Sequence, residues 1–183
     1  MEGSTLFSHC WQRVLPTNFG RDRCKDSGRP VLCKAKCLWF GDGHSTGQIK
    51  FSQVSAQGLT ALNVSLSNLG SMAGGYHVHI LPILNKTMPC SNDNIMGHYN
   101  PFSINISAGP PPTAGTTDQY EIGDISGKFG MLTNLNEQQG YYMDSNMPLL
   151  GPNSIIGRSL VIHYTNGSRL TTFFFIFIQL GFL

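Results

Sequence analysis

A chain of 183 residues, 40% of them hydrophobic, can bury one good core but has no room for two full domains. Only 12% of the residues are charged and 21 are glycine, which argues against a largely helical protein and for turn-rich β structure. The formal charge of +2, with no cluster of Lys and Arg interleaved with aromatics, argues against nucleic acid as a partner.

Residues 1–33 lack the basic-then-apolar layout of a signal peptide. Arg21, Arg23, Lys25 and Arg29, set among Gly, Pro and Asn, suggest a solvated, poorly ordered leader or the end of a fragment, with the folded domain expected over residues 34–183. Compartment is marked by four N-glycosylation sequons, at Asn63, Asn85, Asn105 and Asn166. That number favours the secretory pathway and an extracellular or cell-surface protein. The five cysteines, Cys10, Cys24, Cys33, Cys37 and Cys90, are an odd number with no zinc-knuckle spacing.

From Lys34 the apolar period becomes two. Residues 34–40 read as a strand, with Cys37 expected to be a buried thiol, and residues 41–47, which include His44, read as a hairpin loop dense in turn formers. In residues 48–53, Ile49 and Phe51 face one way and polar groups the other. In residues 61–66, Leu62, Val64 and Leu66 point inward and the sequon Asn63 outward. Next comes Gly75-Tyr76-His77-Val78-His79-Ile80. On a strand His77 and His79 share one face while Tyr76, Val78 and Ile80 share the other. Two imidazoles on one side of a rigid strand form a platform for copper or zinc.

A polar connection over residues 85–94 carries Cys90, and His98 follows with the stiff pair Asn100-Pro101 behind it. Residues 103–117 read as a long loop. Order is expected again from 118 to 125, then a strand near residues 128–135, a Gly- and Pro-rich loop, and an apolar strand over 155–163 that ends in His163. Short strands between such loops point to a β-sandwich or barrel. The apolar tail, residues 173–183, is too short for a bilayer span of about 20 residues. It reads as a final strand or as the end of a lipid-anchor signal, the one route to a membrane.

Six motifs follow one another: the histidine strand at 75–79, Cys90, Gly97-His98-Tyr99-Asn100-Pro101, Ile122-Gly123-Asp124, residues 156–163, and Gly167-Ser168-Arg169-Leu170. In that order they resemble the copper/zinc superoxide dismutase family, over about residues 34 to 180. The resemblance implies an all-β fold, an eight-stranded Greek-key β-barrel or sandwich, with one copper held by His77, His79, His98 and His163. Superoxide and copper are the implied partners. In the implied cycle one superoxide reduces Cu(II) and leaves as oxygen, and a second, with two protons, reoxidises Cu(I) and becomes peroxide. Arg169 matches the family's anion-guiding arginine, suited to a charge-assisted hydrogen bond.

The departures from the family are as informative. Residues 99–120 contain no histidine and Glu121 stands where the last zinc histidine would be, so zinc is not expected although Asp124 holds the aspartate position. The long electrostatic loop is cut to residues 164–168. Together these losses resemble the copper-only extracellular branch of the family. Glu121 and Asp124 are expected to support His98 through its outward nitrogen. The family also bridges the cysteine matching Cys90 to a position that is Thr172 here. A missing bridge, worth about 2–5 kcal/mol, is expected to loosen the loop that positions Arg169. The alternative function is a non-catalytic copper-binding or adhesion module on the same barrel.

Overall fold

The computed structural model describes residues 31–38, 46–84, 88 and 90–182. Residues 1–30 of the expected leader, the loop residues 41–45 with His44 and the sequon at Asn85 lie outside the described residues, as do the side chains of Cys37 and of the tail beyond Thr171; residues 31–33, also expected in the leader, instead open the first strand, with Cys33 buried in the core. Seven strands are described: β1 (Val31–Leu38), β2 (Thr46–Gln53), β3 (Thr60–Ser67), β4 (Ala73–His79), β5 (Glu137–Asp144), β6 (Ser159–Tyr164) and β7 (Arg169–Phe182). Two short helices, α1 (Asn92–Ile95) and α2 (Ile125–Phe129), lie in the long connection between β4 and β5. The strands are ordered β4-β6-β7-β1-β2-β3-β5, and every ladder is antiparallel. Chain neighbours β3 and β4 separate, β3 pairing with β5 and β4 with β6, which is the crossed connectivity of a Greek-key all-β fold.

Period-two patterning explains most of the strands. Ile49 and Phe51 on β2, Leu62, Val64 and Leu66 on β3, Tyr76 and Val78 on β4, and Leu160 and Ile162 on β6 all enter one buried cluster. Each such side chain stabilises the fold by about 1.5–3 kcal/mol on burial. On β7 the backbone pairs with β6 up to Phe174 and with β1 from Phe174 to Phe182. The apolar tail is therefore the last strand. Among the described residues, no helix is long and apolar enough to cross a membrane.

The strand expected near residues 128–135 is not formed. The Asp124 side chain accepts from Gly127 N and caps α2, and Gly130, at φ 109°, returns its N–H to Ser126 O to end the helix. Lys128, on this helix, lies in the interior. The missing strand lies downstream as β5, in the stretch expected to be loop. Its exposed and half-exposed residues show no apolar stripe, and pairing with β3 from Thr60↔Asp144 to Ser67↔Glu137 holds it instead.

The edge of β4 away from β6 is covered by two loop segments. Tyr99 N donates to Val78 O at 2.8 Å and Ile80 N to Gly97 O at 3.0 Å, while Val78 N donates to Gly123 O at 2.9 Å. These bonds set His98 opposite His79 and Asp124 opposite His77.

Candidate metal centre

Alternation along β4 puts the His77 and His79 rings on one side of the strand, the loop clasped to the edge of β4 brings His98 beside them, and His163 arrives from the end of β6. The four rings form one cluster. His77 stacks on His98 with centroids 4.1 Å apart, His163 lies 5.2 Å from His77 and 5.4 Å from His79, and His79 lies 5.1 Å from His98.

The hydrogen bonds fix which nitrogen faces inward. His79 Nδ1 lies 2.8 Å from Met96 O and His163 Nδ1 lies 2.9 Å from Gly167 O. A carbonyl can only accept, so each Nδ1 carries the proton and each Nε2 presents a lone pair. Those two Nε2 atoms are 3.2 Å apart in a buried site. Two facing lone pairs at that distance repel unless a cation lies between or beside them. His98 gives its Nδ1 to Glu121 Oε2 at 3.0 Å, which leaves its Nε2 for the cluster. His77 is turned the other way: its Nε2 lies 3.0 Å from Ser126 Oγ and 3.2 Å from Asp124 Oδ1, and its buried Nδ1 has no hydrogen-bond partner among the described residues. One ligand nitrogen each from His77, His98 and His163 lie within 4.8 Å of one another. An imidazole set with three Nε2 donors and one orphaned Nδ1 fits copper.

Burial keeps the His79 and His163 rings neutral. It lowers His79 to about 3 and His163 to about 4, against weaker raising from the Met96 and Gly167 carbonyls, with the other histidines and Arg169 adding to the lowering. Neutral rings are what a metal requires. Burial alone would raise the Asp124 carboxyl, but the hydrogen bond and charge of His77, with Gly127 N and Ser126 Oγ, outweigh it and hold Asp124 below its usual range.

A second layer holds these groups. Lys128, on α2, donates its Nζ to Asp144 Oδ2 at 2.8 Å and to Ile122 O at 2.9 Å, with both side chains fully buried. Burial lowers the lysine and raises the aspartate, each opposed by the other's charge. This ion pair ties the helix beneath the histidines to β5.

Arg169 is the register partner of His163 across the β6–β7 ladder, and the connection between them closes with Tyr164 N donating to Ser168 O at 2.7 Å. Its Nη1 donates to Cys90 O at 2.8 Å, and its Nη2 to Asn92 Oδ1 at 3.1 Å and to Met96 O, the same carbonyl that orients His79. The loop expected to be loosened by the missing bridge is clipped by the arginine itself. A guanidinium carries five N–H groups, so donors remain for an anion.

The structure thus brings His77, His79, His98 and His163 together, with Arg169 alongside and Glu121 on His98. Asp124 serves His77 rather than His98, because the bond from Val78 N to Gly123 O sets it opposite His77. Asn63, Asn105 and Asn166 are exposed. Sequence reasoning missed Ser126, the Met96 and Gly167 carbonyls, and the Lys128–Asp144 pair. Asp124, a favoured helix N-cap residue, is a local hint of the helix that carries Ser126 and Lys128.

Residues 45–169 match the family described as copper/zinc superoxide dismutase (SODC). The extracellular superoxide dismutase [Cu-Zn] of Onchocerca volvulus is 32% identical over 132 residues, covering 71% of this chain and 59% of that one. The cell surface superoxide dismutase [Cu-Zn] 4 of Candida albicans is 33% identical over 129 residues, covering 68% and 50%. Among solved structures, Candida albicans superoxide dismutase 5 with Cu(II) superposes at a TM-score of 0.61 with 30% identity, covering 82% of this chain and 94% of that one.

Proposed function

The chain belongs to the copper/zinc superoxide dismutase family, and from that premise we propose that it dismutates superoxide outside the cell or at its surface with a single copper ion and no zinc. The observation that carries this reading is the pair of facing Nε2 atoms of His79 and His163, 3.2 Å apart, beside the orphaned Nδ1 of His77. His77, His79, His98 and His163 would hold the ion. When bound, copper supplies one-electron exchange, so that one superoxide is oxidised to oxygen and a second, with two protons, is reduced to hydrogen peroxide.

The protein's own groups bind and orient. Arg169, next to His163, offers its remaining N–H donors and its charge to the superoxide anion. Glu121 fixes the ring of His98 so that Nε2 faces the cluster. Two facts support copper without zinc: Glu121 occupies the second nitrogen of His98, and Asp124 is committed to His77, Ser126 and Gly127. The exposed sequons at Asn63, Asn105 and Asn166 fit a glycosylated, secreted protein.

A non-catalytic copper-binding or adhesion module is less well supported. Thr172 and the unusual tail argue for it, yet Arg169 is held without the bridge and β7 pairs on both sides. The test is copper reconstitution of metal-stripped protein. Copper alone should restore superoxide dismutation, and His163→Ala should abolish both tight copper binding and activity. Copper-loaded wild type without activity would favour the module.

A further inference from the structure

We propose that Ser126 is a positioning residue that fixes the ring of His77 for metal binding, an inference that rests on the copper reading above and extends it to a side chain of α2. His77 differs from the other histidines in facing the cluster with Nδ1, so its Nε2–H must find an acceptor on the outer side. Two oxygens are in reach, Ser126 Oγ at 3.0 Å and Asp124 Oδ1 at 3.2 Å. Asp124 Oδ1 already accepts from Gly127 N at 2.6 Å and from Ser126 Oγ at 3.0 Å. Because Ser126 gives its own proton to Asp124, its lone pairs are left for the imidazole. The hydroxyl is therefore an acceptor for His77 and cannot compete as a donor. That selects the tautomer with the proton on Nε2 and the lone pair on Nδ1, the form that can bind a cation.

The surroundings are built to this contact. Ser126 is 1% exposed, so bulk solvent does not reach this contact. A Cβ on Gly75 would fall 2.6 Å from His77 Cε1 and 3.2 Å from Ser126 Oγ, so the ring and the hydroxyl fill the space that the glycine leaves. Lys128, on the same short helix as Ser126, is anchored by its buried ion pair to Asp144 on β5, which holds the helix in place. Outward partners of this kind typically change metal affinity by about 10- to 100-fold when removed.

The experiment compares wild type with Ser126→Ala and Ser126→Thr, each checked for folding by circular dichroism. Cu(II) affinity is measured by competition with a chromophoric chelator, and the His77 tautomer in the metal-free protein by ring 15N chemical shifts. Ser126→Ala should weaken copper binding about tenfold and mix the tautomers, while Ser126→Thr, which keeps the hydroxyl, should restore both. A Ser126→Ala protein with altered melting temperature but wild-type affinity and tautomer would reduce Ser126 to a structural residue and overturn the proposal. Should wild type bind no copper, the copper reading fails, and the metal-free tautomer still decides the role of Ser126.

Discussion

The two walls of the histidine cluster are built on different physics. One wall is strand: His77, His79 and His163 sit on β4 and β6, whose ladder and apolar backs are set by alternation. The other is loop: His98, Glu121, Asp124 and Ser126 hang from the edge of β4 and are fixed by polar bonds and one buried ion pair. The strand wall draws its rigidity from burial of carbon, whereas the loop wall is only as firm as its hydrogen bonds are complete. A zinc ion would have organised the loop wall from within. On the proposed copper-only reading, a carboxylate on His98, a hydroxyl on His77 and a lysine under the helix take over that task.

The largest effect should come from unpairing the ion pair that underlies the loop wall. Asp144→Ala leaves the Lys128 charge buried without its partner and should destabilise the protein by about 3–5 kcal/mol, read by urea unfolding. Replacing both, as Lys128→Met with Asp144→Leu, should return most of that stability. A double variant as unstable as the single one would show that the pair does more than satisfy itself.

Acid should strike the strand wall instead. Unfolded histidine titrates near 6.5, whereas burial puts His79 at about 3 and His163 at about 4 in the fold. Below pH 6.5 the unfolded chain therefore takes up protons that the folded chain refuses. Stability of the metal-free protein should be full above that pH and fall as pH drops toward 4 and then 3, by a few kcal/mol. Melting temperature against pH, with Asp144→Ala as reference, checks the sign; a rise in stability on acidification would contradict it.

A smaller effect should come from Arg169→Ala, which removes the cation where the two walls meet. Dismutation should slow and its dependence on ionic strength should weaken, because less attraction remains to be screened. Copper affinity should change little, since Arg169 meets His79 through the shared acceptor Met96 O rather than by a bond to the ring. Stopped-flow rates over a salt series on copper-loaded samples test this.

The same contrast explains what could be read from the sequence. The period of two showed that His77 and His79 share a face opposite Val78, and an apolar run pointed to His163 at its end. Ser126 and Lys128 gave no such signal, because their meaning depends on partners 49 and 16 residues away. The misplaced strand near 128–135 has one origin: a five-residue helix capped by Asp124 interrupts a stretch that reads as extended. β5 was hidden for the opposite reason, a strand held by its ladder with little apolar alternation to mark it.

The central claim is that one copper ion closes the histidine cluster while protein groups replace zinc. The most direct measurement is a titration of metal-stripped protein with Cu(II) and Zn(II), separately and together, followed by elemental analysis after gel filtration and a superoxide assay on the same fractions. The account predicts one retained copper per chain, no retained zinc beside it, and full dismutation with copper alone. Equimolar tight zinc together with copper, or activity that appears only when zinc is added, would contradict it.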